Sequence, residues 1–158
     1  LFSEILQKVG KLKTKKQKID FLRQNNTPAL RMVVKSSFDP NIVWILPEGS
    51  VPFKPNGAPE GTEHTVLASE ARKLYNFVEG GNGALTKNKR EMMFVQMLEG
   101  LHKDEADIIV AAKDKSLHKV YKGLSAAVVK EAFNWDDNFM IKDDASPKYE
   151  QYAQRANV

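Results

Sequence analysis

The stretch Thr14-Lys15-Lys16-Gln17-Lys18-Ile19-Asp20-Phe21-Leu22-Arg23-Gln24-Asn25-Asn26-Thr27-Pro28-Ala29-Leu30 decides the fold. Thr14 with Gln17 three residues later fits a capping box, in which each residue satisfies the other's backbone N–H. Ile19 and Leu22 then give one apolar face to about Asn25. Thr27-Pro28 is a second start signal, a hydroxyl N-cap with proline at the first helical position, followed by Leu30, Val33, Val34 and Phe38 up to Asp39-Pro40. Two helices separated by a two-residue break predict helix packed on helix.

Upstream, Leu1, Ile5, Leu6 and Val9 recur at helical spacing, and Gly10 reads as a helix stop. Downstream, residues 41–46 (Asn-Ile-Val-Trp-Ile-Leu) are rich in β-branched residues, but a lone strand has no partner, so a short apolar turn or helix on the core is expected. Residues 47–61 hold four prolines and three glycines, which predicts a long surface loop. Leu67, Ala71, Leu74 and Val78 mark a fourth helix ending at Glu79-Gly80-Gly81-Asn82-Gly83. Thr86 starts a fifth, whose Met92, Met93, Phe94, Val95, Met97 and Leu98 lie on nearly all sides and predict a central position. Helices at about 104–114 and 125–133 follow, joined by a basic linker from Lys113 to Gly123, with Ser125 as N-cap. The expectation is one all-α domain of about seven short helices over residues 1–135. Residues 136–158 form an acidic tail or extra helix with a cap signal at Ser146-Pro147.

The chain has 158 residues, 42% of them hydrophobic, enough for one buried core. No apolar run approaches the roughly 20 residues of a membrane-spanning helix, so no membrane role is expected. Absent cysteine excludes disulfides, thiolate zinc sites and a cysteine nucleophile, and points to a reducing compartment. The net charge of +4 is uneven: residues 1–38 carry nine basic and two acidic residues, whereas 136–158 carry three and five. A basic end of that strength suits a polyanion, because lysines on phosphates release counterions without reading sequence.

The motifs of catalysis are missing. Gly80-Gly81-Asn82-Gly83 lacks the Gly-Lys-Ser/Thr ending of a phosphate-binding nucleotide loop. His64, His102 and His118 lie in separate segments without a second helical ligand. In Asp136-Asp137-Asn138, Met140 stands where a calcium loop needs oxygen and Ile141 where it needs glycine. Asp104, Glu105 and Asp107 are explained by the dipole of the helix they start. No Gly-x-Ser-x-Gly elbow is present. The reading is a non-enzyme without cofactor or metal.

Lysines instead gather at helix starts: Lys11, Lys13, Lys15 and Lys16 around Thr14; Lys87, Lys89 and Arg90 after Thr86; Lys113, Lys115, Lys119 and Lys122 before Ser125. Helix N-termini offer unpaired N–H groups and partial positive charge, so such lysines make phosphate clamps. Three clamps are expected to follow one nucleic-acid backbone, and the 80–83 turn to allow close backbone approach.

The order of segments resembles the N-terminal DNA-binding domain of the ATP-dependent DNA ligases of T-even bacteriophages. The likeness covers roughly residues 1–135. It runs through Lys13-Thr14-Lys15-Lys16-Gln17-Lys18, Leu30-Arg31-Met32-Val33-Val34 to Trp44-Ile45, Gly81-Asn82-Gly83-Ala84, and Lys113-Asp114 through Lys122-Gly123-Leu124-Ser125 to Ala132-Phe133. It implies an all-helical domain gripping duplex DNA, intact or nicked, through minor-groove phosphates. It implicates Thr14, Lys15, Lys16, Gly81, Asn82, Gly83, Lys113, Lys115, Lys122, Gly123 and Ser125. Two departures stand out: the Pro-rich loop is longer, and the Lys-x-Asp-Gly motif of the adenylated lysine is absent, so ligase catalysis is not expected of this chain. The expected function is a non-catalytic phage protein on double-stranded DNA in the cytoplasm of the infected bacterium. The alternative is a virion component or an inhibitor of a phage or host protein reusing the fold.

Overall fold

In the computed structural model, which describes residues 1–56, 58 and 64–142, the chain is all-α. Its helices among the described residues are α1 (Phe2–Lys11), α2 (Lys15–Gln24), α3 (Pro28–Phe38), α4 (Leu67–Glu70), α5 (Lys87–Gly100), α6 (Lys103–Lys113), α7 (Leu117–Val120) and α8 (Ala126–Ala132), with a 3-10 helix at Ala71–Phe77. The hydroxyl caps form as read. Thr14 Oγ1 accepts Gln17 N–H at 3.1 Å and Gln17 Oε1 accepts Thr14 N–H at 3.2 Å. Thr27, Thr86 and Ser125 accept Leu30, Lys89 and Val128 N–H at 3.2 Å each.

Helices α3 and α6 cross the centre, burying Leu30, Val33, Val34, Ile108, Ile109 and Ala112 completely. Phe77 and Phe94 meet edge-on with ring centroids 5.2 Å apart, and Trp44 stands edge-on to Phe94 at 6.3 Å while its Nε1–H donates to Ser36 O. Such edge contacts add to the burial of the rings themselves.

Several expectations are corrected. Gly10 does not stop α1, which runs on to Lys11. Residues 41–46 leave the turn at Asn41 as an extended segment, not a helix: Trp44 bridges Val78, with Ile45 N–H on Phe77 O and Glu79 N–H on Val43 O, so a distant segment supplies the strand-like partner. The fourth helix keeps one α turn and then tightens to 3-10 geometry through Phe77, with Val78 extended where it meets that bridge. Helix α5 is not buried all round; Met92 is exposed. The 113–123 linker contains α7, whose Leu117 is buried.

The compact unit also extends past 135. Asp136 Oδ1 accepts Asn138 and Met140 N–H, Trp135 bridges Ile141, and Lys142 N–H reaches Asn134 O, closing a small hairpin that buries Phe139 against Trp135. The remainder of the acidic tail, with its cap signal at Ser146-Pro147, lies outside the described residues, as do Gly57, Pro59 and Gly61 of the Pro-rich loop.

Candidate nucleic-acid interface

Two of the predicted lysines are structural. Lys113 is buried, and its ammonium donates to Pro47 O (2.6 Å), Gly49 O (3.1 Å) and Asp114 Oδ1 (2.6 Å), while Asp114 accepts Gly49 N–H. An ammonium has three donors, and all are used. The expected phosphate clamp is instead a latch on the Pro-rich loop. Lys115 reaches across to the C-terminus of α3, donating to Ser36 O (2.9 Å) and Asp39 O (2.7 Å). Burial lowers its pKa, against the opposing pull of Asp39. It adopts φ +55°, a left-handed conformation that usually selects glycine or asparagine, because the chain must turn there to end α6 and aim the side chain at α3.

The glycines are corrected in the same sense. Gly123 is buried against α1, where a Cβ would sit 2.7 Å from Gly10 Cα; its backbone is therefore closed to DNA. A Cβ on Gly81 would lie 1.8 Å from Tyr75 O, so the close approach it permits is to this protein's own carbonyl. Asn82 joins that turn, its amide donating to Asn76 Oδ1 and its oxygen accepting Ala84 N–H. Gly83 faces open space.

Lys13, Lys15, Lys16, Lys87, Lys89, Lys119, Lys122, Thr14 and Ser125 are exposed. Lys15 pairs with Glu131 at 3.5 Å and Lys16 with Asp20 at 2.6 Å, but their side chains remain 58% and 84% exposed. Such surface pairs are weak and open to exchange for phosphate. The Gly10–Gly123 contact brings the end of α1 and the start of α2 against the turn leading to α8. Lys11 and Lys122 thereby line one cleft of about 540 Å³ with Gln7, Asp104, Asp107 and Tyr121. The Tyr121 phenol is pushed up to about 12 by burial, then by the charges of Asp104, Asp107 and Glu105.

Of the expected clamps, the first and the last meet in this cleft through Lys11 and Lys122. The middle one, Lys87 and Lys89, stands at the start of α5, where Glu91 and Lys113 line a different cavity. The Lys11–Lys122 cleft lies by Asp104 and Asp107 at one end of α6, and Lys113 marks the other, about 15 Å away along the helix. Among the described residues no group of three His, Asp or Glu side chains is placed to hold a metal ion.

A model described as a family of unknown function, DUF6433, matches residues 5–119. The chain belongs to the DUF6433 family. No curated protein and no solved structure matches it. The DUF6433 match holds Lys11 to Lys16 and both internal lysine latches, whereas Lys122, Gly123 and Ser125 lie beyond it. Gly10 escaped the sequence reading as a packing residue because its partner is more than a hundred positions away, and a glycine at the end of an apolar helix reads equally well as a stop.

Proposed function

We propose that this DUF6433 chain binds the phosphate backbone of double-stranded DNA, with little sequence preference and without catalysis, in the cytoplasm of a phage-infected bacterium. The binding surface is the end of α1, the start of α2 and the turn before α8. The observation that carries the reading is the Gly10–Gly123 contact, which accompanies Lys11 and Lys122 lining one cleft, with Lys13, Lys15, Lys16 and Lys119 exposed on the adjoining segments. The uneven charge of the chain and its resemblance to the phage ligase DNA-binding domain support it. Lys87 and Lys89, at the start of α5, are a second and separate anchoring point on the same reading.

Fluorescence anisotropy with matched intact, nicked and gapped duplexes at two salt concentrations tests this. With about 4–6 phosphates neutralised, log K falls against log salt with a slope of roughly −4 to −5. Preference for the nicked duplex would tie the chain to interrupted strands. Absent or salt-independent binding overturns the proposal. The hairpin favours a second reading, docking on a phage or host protein, since its adjoining Met140 and Ile141 are 60% and 68% exposed. Nuclease-resistant co-purification of one stoichiometric partner, lost on changing both residues to serine, would support that reading instead.

A further inference from the structure

The hairpin after α8 ends in two consecutive exposed apolar residues, Met140 and Ile141, and it carries an acid whose side chain is wholly exposed, Asp137. Asp136 is occupied by the amides of the turn. Asp137 lies 3.6 Å from Lys130, a surface pair open to exchange, and Lys130 also rests on the Phe139 ring, 5.0 Å from its centroid, so it keeps a partner if Asp137 turns away. The hairpin therefore presents an apolar face edged by one available negative charge.

A groove of about 370 Å³ between the start of α3 and α4 has the same make-up with the charge reversed. Pro28, Ala29, Met32 and Ala68 give it apolar walls, and its one charged lining residue, Arg72, is exposed and makes no hydrogen bond or ion pair among the described residues. Hairpin and groove both leave from one junction. Arg23, near the end of α2, donates to Glu131 O, near the end of α8, at 2.9 Å. Pro28 follows Arg23 by five residues, and Trp135 follows Glu131 by four. A two-fold pairing that seats one copy's hairpin in the other's groove can then seat the reciprocal pair as well, which closes the assembly.

We propose that two copies of this chain associate through that contact, Met140 and Ile141 of each entering the groove of the other and Asp137 meeting Arg72. Each contact is small beside the roughly 800 Å² per partner of a standard interface, so the dimer is weak, with a dissociation constant of about 10–100 µM. The proposal does not depend on the DNA reading, since neither surface includes the Lys11–Lys122 cleft.

Sedimentation velocity of the full chain without DNA, at concentrations from about 5 to 500 µM, tests it. The average mass should rise from monomer towards dimer across that range. Asp137→Arg and Arg72→Asp should each weaken association about tenfold, because each sets like charges against one another, and the chain carrying both should associate as the wild type does. Restoration by the second reversal is a result that damage to the fold would not give. Met140→Ser with Ile141→Ser should leave a monomer. A wild-type chain that is monomeric throughout, or a double reversal that fails to restore association, overturns the proposal. A pure chain that stays monomeric while a foreign protein co-purifies on the hairpin overturns it too, and assigns the hairpin to that protein.

Discussion

The buried carboxylate of Glu105 receives the backbone N–H of Phe2, 103 residues earlier in the chain, at 2.9 Å. Its other oxygen receives Leu67 N–H, also at 2.9 Å. Phe2 and Leu67 open α1 and α4, whose N-cap positions, Leu1 and Val66, carry no capping oxygen. One side chain therefore serves as the cap for two helices that lack their own.

Replacing Glu105 with alanine removes both caps and leaves two buried N–H groups unpaired, a loss on the order of 3 kcal/mol. Urea unfolding should show a lower midpoint at unchanged slope. A loss below about 1 kcal/mol would mean that water takes over both amides.

Gly123→Ala places a methyl group against the backbone of Gly10, where neither side can yield cheaply, and should cost about 1–3 kcal/mol. Gly83→Ala meets open space and should be neutral in stability. Because the Gly10–Gly123 contact adjoins the Lys11–Lys122 cleft, the first variant should on the proposed reading also weaken DNA binding at temperatures where it remains folded, as anisotropy would show. Equal thermal midpoints for the two variants would refute the close-packing account.

Lysines of the two kinds separate in one experiment. Lys113→Met leaves the Pro47 and Gly49 carbonyls without this donor and Asp114 without its cation, and should destabilise by about 3 kcal/mol, with the salt slope of DNA binding unchanged. Lys15→Ala with Lys16→Ala should hold the melting temperature and reduce the slope by about 1 per lysine, to a similar degree on every sequence tested. The reverse pattern would place the DNA surface at the Pro-rich loop.

Tyr121 gives a pH signature. Its pKa is raised from 10 to about 12, by burial first and then by Asp104, Asp107 and Glu105. Below pH 10 both folded and unfolded chains hold it neutral, so it leaves stability unchanged. Between pH 10 and about 12 the unfolded chain releases the proton first, and stability falls as pH rises. In titration at 295 nm, Tyr121→Phe should remove a late-titrating phenol and flatten that decline. A first-titrating Tyr121 would show that water reaches its hydroxyl in the cleft.

Local signals account for most of the helices. Thr14, Thr27, Thr86 and Ser125 each begin a helix because a hydroxyl and the amide three positions on are neighbours whatever the rest of the chain does. The all-α class and the exposure of Lys13, Lys15 and Lys16 belong to this legible part. Two of the places where the reading failed involve distant partners. Residues 41–46 looked partnerless because Val78 lies far along the chain; Phe139 fell in the presumed tail because its burial needs the tertiary position of Trp135.

The sequence alone determined where helices start, that they would pack on one another, and that one end of the chain would be strongly basic; each follows from spacing or composition. Only the tertiary structure decided which lysines of the 113–122 run face solvent. Lys113 and Lys115 are indistinguishable from Lys119 and Lys122 by type and local charge, yet the first two meet carbonyls of the loop and of α3, while the others remain exposed. A lysine's role depends on whether acceptors converge on its ammonium, and those acceptors come from segments tens of residues away.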